Sequence, residues 1–92
     1  MPTTVVHEPS FHRFRIELDG SNGVLTYRLQ GETMVFVHTE VPAEMEGKGI
    51  GSQLAKAGLE YARLNQLKIV PRCPFVASYL KRHPEYQVLV EQ

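Results

Sequence analysis

Glu46-Gly47-Lys48-Gly49-Ile50-Gly51 stands where a hydrophobic period of two gives way to a helical one, and that junction decides the fold. Upstream, Thr33 to Val41 is apolar on both faces through Met34, Val35, Phe36 and Val37, the pattern of a strand that is central in its sheet. Downstream, Ile50, Leu54, Ala57, Gly58 and Tyr61 fall on one helical stripe while Gln53, Lys56, Glu60 and Arg63 fall on the other. The pattern predicts an amphipathic helix from Ser52 to about Leu64, ended near Asn65. Leu67-Lys68-Ile69-Val70 then reads as a short strand stopped by Pro71. A strand, a helix and a strand in that order predict a right-handed crossover that leaves the two strands parallel.

Further upstream, Phe14, Ile16 and Leu18 alternate with Arg13, Arg15 and Glu17, so Phe11 to Leu18 is a half-buried strand. Asp19-Gly20-Ser21-Asn22-Gly23 is a turn, and Leu25, Tyr27 and Leu29 alternate with Thr26, Arg28 and Gln30 in a second strand. The short Gly31-Glu32 link makes a hairpin into the third. Near the end, Pro74 suits the first turn of a helix, Phe75, Val76, Tyr79 and Leu80 give it an apolar stripe, and Pro84 ends it. Tyr86 to Val90 carries no assignable pattern. Met1 to Ser10, with Pro2 and Pro9 and no hydrophobic period, reads as a flexible leader before one domain over residues 11–92. The expected fold class is α/β: a small mixed sheet, three strands antiparallel and a fourth parallel to the third, with one long and one short helix.

Composition narrows the function. At 92 residues the chain can bury roughly 60 to 65% of its unfolded surface, enough for one modest core. Ten basic and ten acidic side chains balance, so the field expected of a nucleic-acid or anionic-membrane binder is missing and any anion site must be local. No apolar run nears the ~18 residues of a membrane span and the start does not read as a signal peptide, so a cytoplasmic protein is expected. The single cysteine, Cys73, excludes an intrachain disulfide and a four-cysteine zinc site. His7, His12, His38 and His83 are too scattered to announce a ligand cluster, and no metal is expected.

The glycines have a physical task. They let a backbone approach an anion closely, and the first amides of the following helix point outward without internal partners. A phosphate is the natural guest, although the helix-end field contributes only about 0.3 to 2 kcal/mol and most of the affinity must come from several amide hydrogen bonds. Two nucleotide motifs fail on spacing: Gly49 stands where a P-loop needs Ser or Thr after Lys48, and only Ile50 separates Gly49 from Gly51 where a dinucleotide fingerprint needs two residues.

The segment resembles instead the acetyl-CoA loop of the GNAT superfamily of N-acetyltransferases, in which Gln or Arg, two residues, Gly, one residue, then Gly or Ala precede a long helix. Gly49 and Gly51 take the glycine places and Glu46 the Gln or Arg place. A carboxylate beside a pyrophosphate is unfavourable, so Glu46 is expected to bind through its backbone. Val37-His38-Thr39-Glu40-Val41-Pro42, Tyr61-Ala62-Arg63, Val70-Pro71-Arg72-Cys73-Pro74-Phe75-Val76 and His83-Pro84-Glu85-Tyr86 extend the resemblance over roughly Phe11 to Val90. They look like a minimal GNAT subfamily whose chain stops after a short helix, without the later strands of larger members. The resemblance implies an acetyltransferase that passes an acetyl group from acetyl-CoA to an amine: a protein lysine, a protein amino terminus or a small amine. It implies cofactor contacts from Val41, Glu46, Gly47, Lys48, Gly49, Ile50, Gly51 and Ser52, with Cys73, Pro74 and Phe75 at the thioester end.

Each named side chain has a second explanation. Lys48 fits a phosphate contact or a solvated loop lysine. Cys73 lies where helix amides favour a thiolate, and it equally fits a small buried hydrophobe. Alternation puts His38 and Glu40 on one strand face, as a proton-accepting pair or as ordinary polar residues at a strand end. Phe75 and Tyr79 suit core packing or the walls of a pantetheine channel. Arg72, Lys81 and Arg82 form a solvated basic face or a clamp for the ribose phosphate. Catalytic candidates are therefore Cys73, His38 and Glu40. Two rival functions stand beside the enzyme, a CoA-binding module without turnover and a small protein-interaction domain whose glycines only shape a turn.

Overall fold

The computed structural model describes residues 4–91. Its strands and helices follow as β1 (Val5–Glu8), β2 (Arg13–Leu18), β3 (Ser21–Gln30), β4 (Thr33–Glu40), α1 (Ile50–Leu64), β5 (Lys68–Pro71) and α2 (Pro74–Arg82). Short 3-10 segments lie at Pro9–Phe11, Ala43–Met45 and Pro84–Leu89. The strands sit in chain order in one sheet, antiparallel throughout except for β5, which pairs parallel to β4. This is the expected α/β class, with one parallel crossover, one long helix and one short helix.

The core is built by parity. Phe14 and Ile16 of β2, Leu25 and Tyr27 of β3, Met34 and Phe36 of β4 and Ile69 of β5 present one sheet face to Leu54, Leu59 and Ala62 of α1 and to Val76 and Leu80 of α2. Burying each large member stabilises the fold by about 1.5–3 kcal/mol. Gly58 sets how closely α1 approaches, because a Cβ there would lie 2.7 Å from Phe36 Cε1 and 3.3 Å from Leu25 Cδ2. The buried stripe is rotated from the expected one. Gly51, Ala55, Leu59 and Ala62 are buried beside Ile50, Leu54 and Gly58, while Ala57 and Tyr61 are half-buried at its margin. Small residues carry little hydropathy signal, yet they permit the close contact.

The flexible-leader reading is corrected over residues 5–8, while residues 1–3 of it lie outside the described residues. Val5–Glu8 pairs with β2 because that strand would otherwise be an open edge. His7 stacks on Phe14 with ring centroids 4.3 Å apart, and Glu8 accepts from Arg13 Nε at 2.6 Å. Burial lowers the His7 pKa and favours its neutral ring. The turn expected over five residues is a two-residue hairpin, Asp19-Gly20, with φ of 51° and 81°. Ser21 to Gly23 already belongs to β3. β4 is internal, flanked by β3 and β5, but Val37 is exposed rather than covered.

The unassigned tail closes the far edge of the core. Val90 bridges Ile69 in parallel, and the Glu91 amide donates to the Ile69 carbonyl at 2.9 Å. Tyr86 is buried and donates its phenol to Glu60 Oε2 at 2.6 Å. Burial first, and that hydrogen bond second, push its pKa up to about 12. No helix among the described residues is long and apolar enough to cross a membrane.

Candidate active site

A bulge in β4 builds the site. Tyr27 pairs with Phe36, but Thr26 pairs with His38, so Val37 has no partner across the ladder. The extra residue reverses the parity of everything after it. Thr39, opposite the buried Leu25, turns to the helix side of the sheet, and His38 and Glu40, opposite Thr26 and Val24, turn to the other side. The expected sharing of a face by His38 and Glu40 is present, but that face is the one away from the glycine turn.

At the same level β4 and β5 part. Their ladder ends at Phe36 opposite Pro71, whose nitrogen has no hydrogen to donate, and the last main-chain contact is the Cys73 amide on the Phe36 carbonyl at 3.0 Å. Beyond it β4 runs on to Glu40, whereas the chain after Cys73 turns into α2. A groove of about 430 Å³ opens on the helix side between the end of β4, the glycine turn and α2. Val41, Met45, Ile50 and Phe75 give it apolar walls, and Thr39, Ser52, Glu46 and Arg82 supply polar atoms.

The glycine turn forms the mouth. Gly47 and Gly49 have φ of 80° and 72°, the left-handed region that glycine enters without strain, and a Cβ on either would project into open space. Gly49 immediately precedes α1, and its carbonyl accepts the first helical hydrogen bond, from the Gln53 amide at 3.0 Å. The amides of Ile50, Gly51 and Ser52 therefore have no acceptor within the helix and carry its positive end. Gly51 serves a different purpose: a Cβ there would lie 2.6 Å from Phe75 Cζ. Its hydrogen lets the Phe75 ring of α2 close against α1 as a groove wall.

Cys73 lies at the inner end. It is 2% exposed, and its Sγ is 2.9 Å from Thr39 Oγ1, a hydrogen bond in which either atom can donate. This bond ties the parted strands together just where the groove stops, and Thr39 carries the contact from the thiol to the groove surface. Of the expected cofactor contacts, Val41, Glu46, Gly47, Gly49, Ile50, Gly51, Ser52 and Phe75 line the groove. Lys48 is exposed between lining glycines, and Cys73, Pro74 and Tyr79 are not part of the wall. Tyr79 packs in the core, its ring stacked on His83 at 4.0 Å, and burial raises its pKa. The basic neighbourhood divides: Arg82 reaches the groove, while Arg72 lines a hollow elsewhere.

Thr39 and Met45 complete the groove beyond the residues expected from sequence to contact the cofactor, and Arg82, read from sequence as part of a basic face or a phosphate clamp, lines it too. Nothing in the alternation of β4 announces Thr39, because a bulge is invisible to a period of two. Among the described residues no group of three or more His, Cys, Asp or Glu side chains could hold a metal ion.

A mixed sheet whose parallel pair separates beside a glycine-initiated helix, with a groove at the parting, defines an α/β protein of one crossover. The chain belongs to the GCN5-related N-acetyltransferase family, whose model matches residues 13–89. It is 35% identical over 91 residues to Protein NATD1 of Gallus gallus, covering 96% of this chain and 83% of that protein. Protein NATD1 of Homo sapiens is likewise 35% identical, with 96% and 80% covered. The NMR solution structure of a GCN5-like protein from Staphylococcus aureus superposes with a TM-score of 0.75 at 32% identity, over 96% of this chain and 87% of that one.

Proposed function

We propose that this chain is an acetyl-CoA-dependent N-acetyltransferase. The observation that carries the reading is the single groove running from unpartnered helix amides to the Thr39–Cys73 pair at the parting of β4 and β5. The amides and the Gly47 and Gly49 backbone suit a pyrophosphate, and Val41, Met45, Ile50 and Phe75 suit a pantetheine arm. Arg82 supplies a guanidinium for a further phosphate. The acetyl thioester is then directed to the seam beside Thr39.

The chemistry is direct transfer. A neutral amine attacks the acetyl carbonyl carbon, the carbon–sulfur bond breaks, and CoA leaves as a thiolate that takes up a proton. The nitrogen keeps the acetyl group and loses its proton. The chain's contribution is positioning, since a bound thioester already carries an activated acyl group. His38, on the sheet face opposite the groove, takes the proton from the attacking nitrogen. Because His38 is exposed and its side chain makes no hydrogen bond among the described residues, His38→Ala should lower kcat about tenfold, below the hundredfold or more of a well-positioned base. CoA affinity should not change, and an unchanged pH–rate profile would hand the role to water.

Cys73 shapes the inner end. Its burial and its bond to Thr39 leave no open approach for an acyl carbon, so Cys73→Ala should retain turnover within about threefold. Intact mass of the parent after incubation with acetyl-CoA alone should show no added acetyl group. An acetyl-Cys73 that forms and discharges to amine at the turnover rate would overturn the direct route.

Glu46 favours a second reading, since a carboxylate in the groove wall opposes a pyrophosphate and would suit a weak CoA-binding module without turnover. Calorimetric titration of CoA followed by a thiol-release assay over a panel of amines separates the two. Binding with release is expected. Binding without release of thiol on any amine would leave the module, and no binding would end both readings.

A further inference from the structure

Behind the seam, on the face that no helix of the described residues covers, the sheet carries a second hollow of about 330 Å³. Cross-strand register builds it: Arg28 stands opposite Val35, which stands opposite Val70. Val37 lies one step further along β4 and Arg72 just past the end of β5, and Gln30 and Glu91 border the other end. Val35 is only 5% exposed, the one buried strand residue of its parity among the described residues. On an otherwise open sheet face, the side chains around it must form walls over an apolar floor.

The two arginines in those walls stand apart from their neighbours. Arg13 and Arg15 are paired with Glu8, and Arg63 with Glu60. Arg28 and Arg72 have no ion pair or hydrogen bond with another described side chain. The hollow's own carboxylate, Glu91, is engaged at the far end, where Thr33 Oγ1 donates to its Oε2 at 2.6 Å. Glu40 shares this face but lies three residues beyond Val37, past the bulge. Lys68 adds positive charge beside Val70. Two uncommitted guanidiniums over a valine floor present the forked donors that a carboxylate accepts.

Position gives the hollow its purpose. Val37 and Arg72 flank the end of the β4–β5 ladder, where the groove reaches the Thr39–Cys73 pair from the opposite side. Thr39 is two residues from Val37, about 6.6 Å along an extended strand. The hollow and the inner end of the groove therefore face the same seam from opposite sides of the sheet. Resting on the acetyl-transfer reading above, we infer that the acceptor is a small amine bearing a carboxylate, seated on Val35, Val37 and Val70 with its carboxylate on Arg28 and Arg72 and its nitrogen at the seam. A volume of about 330 Å³ suits a ligand of amino-acid to dipeptide size.

The test compares γ-aminobutyrate with butylamine and with putrescine, whose amines have similar basicity but whose far ends are anionic, apolar and cationic. With acetyl-CoA saturating, kcat/KM by thiol release should favour γ-aminobutyrate by about tenfold or more. Arg28→Gln and Arg72→Gln should each remove that preference while leaving butylamine turnover and CoA affinity unchanged. A second measurement does not need turnover: titration of γ-aminobutyrate into the CoA complex, followed by amide chemical shifts, should move Val35, Val37 and Val70, and butylamine should not. Equal rates for the three amines, equal losses for all of them in the variants, or no shift in those valines on adding γ-aminobutyrate would overturn the inference. CoA binding with the valine shifts but no thiol release would uphold the hollow and refute the transferase reading instead.

Discussion

Gly49→Val is expected to weaken CoA binding by about a hundredfold, close to 2.8 kcal/mol at 1.4 kcal/mol per factor of ten. Two effects add. Gly49 sits at φ 72°, a conformation that costs an ordinary L-residue about 1–2 kcal/mol and a β-branched one more. The same substitution projects two methyl groups into open space at the mouth of the groove, where a pyrophosphate would lie against the first amides of α1. Neither effect reaches the core, because no atom of the described residues lies within 4 Å of the position a Cβ would take. The variant should therefore keep the parent's circular dichroism and lose affinity in calorimetry. Gly49→Asn separates the causes, since asparagine tolerates the left-handed region but still fills the mouth. It should bind CoA more tightly than the valine variant and more weakly than the parent. Parental affinity in a folded Gly49→Val protein would remove the anion from this turn.

How far such a site can be read from sequence depends on which physical signal each part leaves. The glycine turn was legible because unusual backbone needs glycine, and glycine at Gly47 and Gly49 ahead of a helical period leaves few alternatives. The crossover was legible because a single period change separates β4 from α1. The bulge at Val37 left no trace. A strict alternation from Phe36 carries His38 and Glu40 onto the groove side, whereas one extra residue puts Thr39 and Val41 there instead. The composition of the strand is the same in either register. β1 was hidden for a related reason: Val5 to Glu8 is too short and too polar to show a period, and its pairing is earned from β2, Arg13 and Phe14 rather than from itself. The open-face hollow depends on cross-strand neighbours, Arg28 beside Val35 beside Val70, that are far apart in the chain.

The second large effect is expected at Gly58, where fold and site are joined. A glycine in a helix interior is about 1 kcal/mol less favourable than alanine, so its presence in the middle of α1 asks for a packing reason. The reason is Phe36, whose ring edge would be 2.7 Å from a Cβ at this position. Phe36 is fully buried and cannot swing aside, and its own backbone carbonyl holds the Cys73 amide at the seam. Gly58→Leu must therefore push α1 away from β4 or force Phe36 off its rotamer, at a cost of about 3 kcal/mol. Urea unfolding should show that loss as a lower midpoint with an unchanged slope. The displacement also has a direction. α1 begins at the glycine turn, so lifting it from β4 widens the groove between Ile50 and Thr39, and CoA affinity measured on the folded variant should fall about tenfold in addition. Gly58→Ala, which adds one carbon instead of four, should show the same two effects at smaller size. A leucine variant as stable as the parent would mean that Phe36 and α1 repack freely, and the close approach would then have no part in holding the groove at its width.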